Sequence, residues 1–393
     1  MTSHPFNWRT AWLCLSIVAV VYGGSLAYRV MVRYDGNITG LFCVGDKEPL
    51  PAALADENLY VHRGWIGYDG QFTLFLAYDP LLQTDLVASL PKAAYRYQRI
   101  GLPLLAYVMS GGNRSLLPYL LVGLNWGIFL VGCWFVCRIL EHFQASAWWV
   151  FVYAFSPGLM SSEFRVLPDA TATSLVFIAI FFLLRDRWMA AAVLLSVATM
   201  VRETVVVIAA ALVLWALWNR APRKALTFLG PIVLYGIWCA VIRVALGQWP
   251  FFSALRWQTE SNFDWPMVGI VEKFAFVLRA MVEVQRGLGM PGAVIAANVV
   301  VEVLFNLGLF FAFYLSIHSV AQRPRHWLSV CLCVYTLLAI CLSVYQWNRF
   351  WHLARVLDPL ILLPWLAYLE NRDSKYLVPS VCAAPVSLAI WFA

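Results

Sequence analysis

Leu116 to Val136 reads LLPYLLVGLNWGIFLVGCWFV, a run without a single charge that ends just before Arg138. As an α-helix it rises about 31 Å, the thickness of a bilayer's hydrocarbon core at roughly 30 Å. Runs of this kind recur on both sides of it. They read as Trp12 to Val32, Ala147 to Ser162, Ala170 to Leu184, Trp188 to Val201, Thr204 to Trp218, Leu226 to Leu246, Gly292 to Val320, Trp327 to Tyr345, Trp351 to Leu369 and Tyr376 to Phe392. About eleven spans predict an all-α fold, a polytopic transmembrane helical bundle forming a single integral domain over residues 1–393. Composition agrees, because 62% of residues are apolar and 12% charged, against roughly 45–50% and 25% in a soluble domain. A soluble enzyme, a nucleic-acid binder and a disordered chain are thereby excluded.

The first run is longer than the 7 to 15 residues of a signal h-region and is followed by further spans, so it reads as an uncleaved anchor. Ile100 to Ser110 is too short to cross and reads as a re-entrant or surface helix. With that choice the short loops alternate in charge. Arg9, Arg138, Arg185, Arg187, Arg220, Arg223, Lys224, Arg323, Arg325, Arg372 and Lys375 share one side, which the positive-inside rule makes cytoplasmic. The other side then carries two long loops, residues 33–99 and 247–291, around core spans at 100–246 and C-terminal spans at 292–392. The N-terminus is then expected to be cytoplasmic and the C-terminus outside, with the two long loops on the outer, working face.

Net charge is +7, but the cations are spread over many loops rather than gathered in a patch for nucleic acid. Eight of nine cysteines lie inside apolar runs and read as packing residues; Cys43 alone sits in a polar loop. None of them forms a pattern with zinc-site spacing.

The loops carry the chemistry-bearing residues. In the first, Gly67-Tyr68-Asp69-Gly70-Gln71-Phe72 is followed by Asp79-Pro80 and then Tyr95-Arg96-Tyr97-Gln98-Arg99. Asp69 reads either as a turn aspartate or as a general base held by partial burial. Arg96 and Arg99, three residues apart, suit a phosphate through planar bidentate forks, or else snorkel toward headgroups. Glu163, Arg165 and Asp169 mark the outer end of the span that follows. Arg202-Glu203 interrupts an apolar stretch as a hairpin tip or a site, Arg355 and Asp358 sit three apart on one helix, and Glu302 lies within a span. In the second loop, Glu272, Lys273, Arg279, Glu283 and Arg286 pattern an amphipathic helix, interfacial or lid-forming. Asn37-Ile38-Thr39 and Asn113-Arg114-Ser115 match the glycosylation sequon.

This layout resembles the C-type (GT-C) membrane glycosyltransferase superfamily, which uses lipid-phosphate sugars. Ser156-Pro157 through Asp169 to Arg202-Glu203-Thr204 is similar to the pattern of bacterial mannosyltransferase-type members. Tyr68-Asp69-Gly70-Gln71-Phe72 and Arg96-Tyr97-Gln98-Arg99 with Pro103-Leu104-Leu105 resemble bacterial members linked to cell-surface glycopolymers.

The resemblance implies an inverting transfer from a polyprenyl-phosphate sugar to a cell-envelope glycan or lipid acceptor. Asp69 would be the base, and Tyr68, Gln71, Arg96, Arg99, Asp169, Arg202, Glu203 and Arg355 would bind substrate. It implies no cofactor. Many members pair acids in the first loop, whereas Gly70 and Gln71 follow Asp69 here, which weakens the case for a divalent metal. Two other classes fit the composition: a flippase or transporter of lipid-linked sugar, which predicts repeated halves, and a non-catalytic subunit of a polymer-export machine. No clear repeat is visible, and the strongest polar cluster lies in a loop, which favours the enzyme.

Overall fold

The computed structural model describes residues 6–47, 50–83, 86–251, 262–275, 292–347 and 350–392. It is 76% helix, and among these residues the sheet structure comprises one short parallel ladder, β1 (Val44–Gly45) with β2 (Val61–His62), and an isolated bridge.

Helix α1 (Trp8–Tyr28) starts where the Asn7 side chain accepts from the backbone N–H groups of Arg9 and Thr10. It buries the single stripe Ala11, Cys14, Leu15, Val18, Tyr22 and Leu26. It then widens into one π turn over Arg29–Arg33. Four stretches among the described residues are long and apolar enough to cross a membrane: Trp8–Arg33, Arg114–His142, Pro222–Leu246 and Val299–Gln322. In each, only 28–39% of the most apolar window is buried within the protein. The remaining apolar surface needs lipid, and the chain is an integral, multi-pass membrane protein.

The chain divides into two compact units. The first comprises Met1–Ala154, Ser161–Ala209 and Leu226–Ser253. Within it, the first long loop holds α2 (Asp69–Tyr78), α3 (Leu86–Ser89) and α4 (Ala93–Tyr97), and leads into the ten-residue α5 (Gly101–Ser110). At about 15 Å, α5 reaches only halfway across a hydrocarbon core. Next come α6 (Leu117–His142) and α7 (Val150–Ala154), the end of α8 (Pro157–Glu163), α9 (Pro168–Leu183), α10 (Trp188–Val201), the start of α11 (Val205–Trp218), and most of α12 (Pro222–Leu246). Helices α6, α9 and α10 form its centre, sealed by Phe129, Tyr153 and Phe177.

The stretch expected to span from Ala147 to Ser162 is broken between α7 and α8. Pro157 is the cause, since its ring cannot accept the preceding turn and it has no N–H to donate. The Tyr22 hydroxyl donates to the carbonyl of Ala154 at 2.5 Å, so one carbonyl freed by the break is satisfied.

The second unit comprises Phe155–Met160, Ala210–Ala225 and Ala254–Ala393. It contains α13 (Gly292–Gln322), α14 (Trp327–Ile340), α15 (Val344–Trp347), α16 (Phe350–Val356), α17 (Pro359–Asn371) and α18 (Val378–Phe392). The stretch expected to run from Trp351 to Leu369 is divided here at Leu357-Asp358, ahead of Pro359, for the same reason. Of the second long loop, residues 268–275 are helical, and Lys273 pairs with Glu302 on α13. Arg279, Glu283 and Arg286 lie outside the described residues.

Candidate active site

The first long loop is not uniformly polar. Residues 71–78 read Gln-Phe-Thr-Leu-Phe-Leu-Ala-Tyr, apolar on every side, and α2 is buried from Gly70 to Tyr78. A helix with no polar face needs neighbours all round it. It obtains them by close approach: a Cβ at Gly70 would lie 2.2 Å from the Arg165 carbonyl oxygen and 2.9 Å from that of Phe42. The turn into the helix uses Gly67 at φ +86°, a conformation that suits glycine. Tyr68 is the N-cap, with its N–H donating to the Cys43 carbonyl at 3.0 Å.

Asp69 is therefore the first residue of a buried helix, where its charge also favours the helix dipole. Its side chain is 24% exposed, and its Oδ1 accepts from Arg96 Nη1 at 2.9 Å. The Arg96 guanidinium lies 3.7 Å above the centre of the Phe72 ring, one turn along α2. At the other end of the helix, Asp79 is an internal cap whose Oδ1 accepts the Gln83 N–H at 2.8 Å. Gln71 is tied into the loop: Gly45 N–H donates to its Oε1 at 3.3 Å, and its Nε2 donates to the Ile66 carbonyl at 3.4 Å. It also lines a cavity of about 260 Å³ together with Phe72, Phe75, Pro51, Ser89 and Leu90. The Tyr68 ring carries the Arg165 guanidinium at 4.9 Å.

A second cluster forms where the end of this loop meets the link between α10 and α11. Arg99, 7% exposed, grips Glu203 with both arms of its fork, Nε to Oε2 at 2.8 Å and Nη2 to Oε1 at 2.6 Å. Its Nη2 also donates to the Tyr95 hydroxyl at 2.6 Å. Arg202 places Nη2 3.3 Å from Asp169 Oδ1 and Nε 3.9 Å from Glu203. Burial alone would raise the Glu203 pKa. The guanidinium of Arg99, and then that of Arg202, overcomes it and holds the carboxyl at about 2. Arg99 is correspondingly held above its ordinary range despite burial. Among the described residues, Nε and Nη1 of Arg202 are buried and have no hydrogen-bond partner.

Seven of the residues singled out in the sequence thus fall into two clusters of the first unit: Tyr68, Asp69 and Arg96, and Arg99, Asp169, Arg202 and Glu203. Gln71 belongs to the same loop. Arg355 lies in the second unit, 6% exposed on α16. There the Asp358 carboxylate accepts from the Ser156 hydroxyl at 2.9 Å and the Gly158 N–H at 3.3 Å. Sequence reasoning missed Asn125, which lies inside the opening apolar run. Its Nδ2 donates to Glu163 at 3.1 Å and its Oδ1 accepts from Thr171 at 2.7 Å, forming a buried polar chain. A lone amide in a membrane span was the available signal. Both sequon asparagines cap turns: the oxygen of Asn37 accepts from Thr39 and that of Asn113 from the Ser115 N–H. Cys43 is buried, which pushes its thiol up to about 11.

The described residues thus define a multi-pass helical membrane protein with a half-buried acid on a loop helix beside a buried arginine cluster. Residues 121–266 match the family model described as ALG3 protein, a family of dolichyl-phosphate-mannose-dependent mannosyltransferases with the GT-C fold. That stretch is less than half of the chain. It supports the GT-C superfamily and the class of membrane glycosyltransferases using a lipid-linked sugar donor. It includes Asp169, Arg202 and Glu203, and it begins after Asp69, Arg96 and Arg99. No curated protein matches the chain, and no solved structure does.

Proposed function

We propose that the protein transfers a sugar from a polyprenyl-phosphate donor to a glycan or lipid acceptor of the cell envelope, on the face opposite the basic short loops. The observation that carries this reading is the placement of Asp69. It is the first residue of a helix buried along its length, its carboxylate is partly exposed, and a guanidinium is hydrogen-bonded to it. A turn aspartate in a solvated loop would need none of that support.

Asp69 takes the proton of the acceptor hydroxyl as that oxygen bonds to the anomeric carbon. The bond from the anomeric carbon to the phosphate oxygen breaks, and the lipid phosphate leaves with its electron pair. A single displacement inverts the anomeric centre. One acid suffices, because phosphate leaves without the protonation that a glycosidase must supply. The departing charge calls for cations. Arg202, whose buried Nε and Nη1 make no hydrogen bond among the described residues, suits that task better than Arg99, which Glu203 already holds on both arms. These steps call for no divalent metal.

Transfer of radiolabelled sugar from a panel of polyprenyl-phosphate sugars into native membrane lipid extract tests the proposal. Wild-type protein is expected to move label into a new product. Asp69→Asn should lose on the order of 10²- to 10⁴-fold in turnover while keeping its thermal midpoint. Absence of transfer from every donor, alongside movement of label across reconstituted vesicles, would identify a flippase instead.

A further inference from the structure

We infer that Arg96 is a positioning residue, whose guanidinium fixes the orientation of the Asp69 carboxylate. The inference rests on the proposed base role of Asp69 and adds the group that holds that base.

The short helix α4 is strapped along α2 at both ends. At the head of α2, Arg96 Nη1 donates to Asp69 Oδ1 at 2.9 Å. At its tail, the Tyr97 hydroxyl donates to the Asp79 carbonyl at 2.9 Å. From behind, Trp238 Nε1 on α12 donates to the Tyr97 carbonyl at 2.9 Å. Anchoring of α4 is thus already provided by Tyr97, which is fully buried. Arg96 adds something different. Its guanidinium plane is held between the acid and the Phe72 ring, 3.7 Å from the ring centre, with the Tyr95 ring 5.7 Å away.

Phe72 and Asp69 sit on the same helix, one turn apart, so the ring and the carboxylate form a single jig for the guanidinium. Phe72 is itself only 8% exposed and packs edge-on against Phe75, with centroids 6.2 Å apart. The arrangement leaves the Arg96 Nε–H buried and without a hydrogen-bond partner among the described residues. A lysine would reach the same oxygen with no such cost, but an ammonium has no plane to stack and imposes no direction on the acid. Planarity is what this geometry uses. A carboxylate on a single χ1–χ2 pair swings readily, and a base displaced by about 1 Å loses about 100-fold in rate. The site therefore gains from a rigid partner that is itself locked by packing.

The rival roles for Arg96 are contact with the donor phosphate and simple structural pairing, and each has a different kinetic signature. The test uses the full-length protein and the donor that the wild type turns over, comparing Arg96→Gln, Arg96→Lys, Asp69→Asn and the double variant Asp69→Asn/Arg96→Gln. Expected are a drop in kcat of about 10- to 100-fold for Arg96→Gln with donor KM little changed, a smaller drop for Arg96→Lys, and no further loss in the double variant beyond Asp69→Asn. In a fifth variant, Arg96→Ala, added guanidinium should restore part of kcat, and it should restore none to Asp69→Asn. The thermal midpoint separates misfolded variants, and Arg96→Lys keeps the test open if Arg96→Gln fails to fold. A raised donor KM with additive losses in the double variant would overturn positioning and assign Arg96 to the phosphate. Unchanged kcat in Arg96→Gln alongside a collapse in Asp69→Asn would also overturn it, while leaving the base intact. Full turnover in Asp69→Asn would overturn the base reading itself, and the inference with it.

Discussion

At the scale of single residues, the strongest electrostatic element outside the proposed base is the Arg99–Glu203 pair. Two parallel hydrogen bonds at 2.8 and 2.6 Å join them, 104 residues apart in sequence, and Tyr95 supports the cation. Charged groups as buried as Arg99 are tolerated when paired and heavily penalised when the partner is removed, at about 3–5 kcal/mol. Glu203→Gln is therefore expected to lower the thermal midpoint in detergent clearly. The double variant Arg99→Met/Glu203→Leu should lower it less, because no charge is then stranded. The pH dependence follows from the same pair. The Glu203 carboxyl falls from its ordinary 4.5 to about 2 in the folded protein. The unfolded chain binds that proton first as the solution is acidified, so the contribution is complete above pH 4.5 and disappears as pH falls toward 2. Thermal midpoints measured from pH 6 to pH 3 should decline more steeply in the wild type than in Glu203→Gln. Equal slopes would remove Glu203 from the account.

At the scale of elements, the site depends on how tightly α2 is inserted. Gly70 faces two backbone carbonyls, of Arg165 and Phe42, and neither can rotate away as a side chain would. Gly70→Ala is expected to cost about 1–3 kcal/mol and to disturb Asp69, its neighbour. Gly123, within α6, has nothing within 4 Å of a Cβ position. Gly123→Ala should be neutral or stabilising by roughly 0.5–1 kcal/mol, since a helical glycine only costs entropy there. Thermal midpoints of the two variants decide the matter, and equal effects would show that α2 is not clamped. This helix also marks the limit of what the sequence made legible. The apolar content of residues 71–78 is visible, but its covers lie near residues 42 and 165, and no local pattern announces them. The long spans were legible because lipid imposes composition directly. The breaks at Pro157 and Pro359 hid inside runs whose hydropathy does not change, although the prolines themselves were in plain view. Asp69 and Arg96 were each legible as candidates, yet their pairing was not. Twenty-seven residues separate them, and only the folding of α4 along α2 brings them together.

At the scale of the whole molecule, the distribution of charge within the first unit bears on orientation. The cations of its short loops gather at one end. Trp8 Nε1, at the start of α1, donates to Glu141 near the end of α6 at 2.8 Å. Arg138 lies over the rings of Trp8 and Phe181 at 5.4 and 5.9 Å, and Arg185 lies over Phe181 at 5.1 Å. The far end of α1 instead approaches the acidic segment, with Arg29 stacked 4.7 Å from the Phe164 ring beside Glu163. One end of this unit thus gathers short-loop cations with aromatic anchors, whereas at the other the acids Asp69, Asp169 and Glu203 are paired with arginines. Under the positive-inside rule the expected position of Asp69 is the non-cytoplasmic face, the side on which the proposed transfer would run. Two exposed positions of this unit report on it, Lys92 in the first long loop and Arg187 between α9 and α10. Six of the native cysteines are buried, and with the three partly exposed ones, Cys333, Cys341 and Cys382, replaced by serine, single added cysteines label above a low background. A membrane-impermeant maleimide applied to right-side-out vesicles is expected to modify Lys92→Cys and spare Arg187→Cys, with the pattern reversed in inverted vesicles. Labelling of both from one side would mean that α9 does not separate the two positions across a bilayer. Labelling of Arg187→Cys alone in right-side-out vesicles would turn the molecule over and move the transfer reaction to the cytoplasmic face.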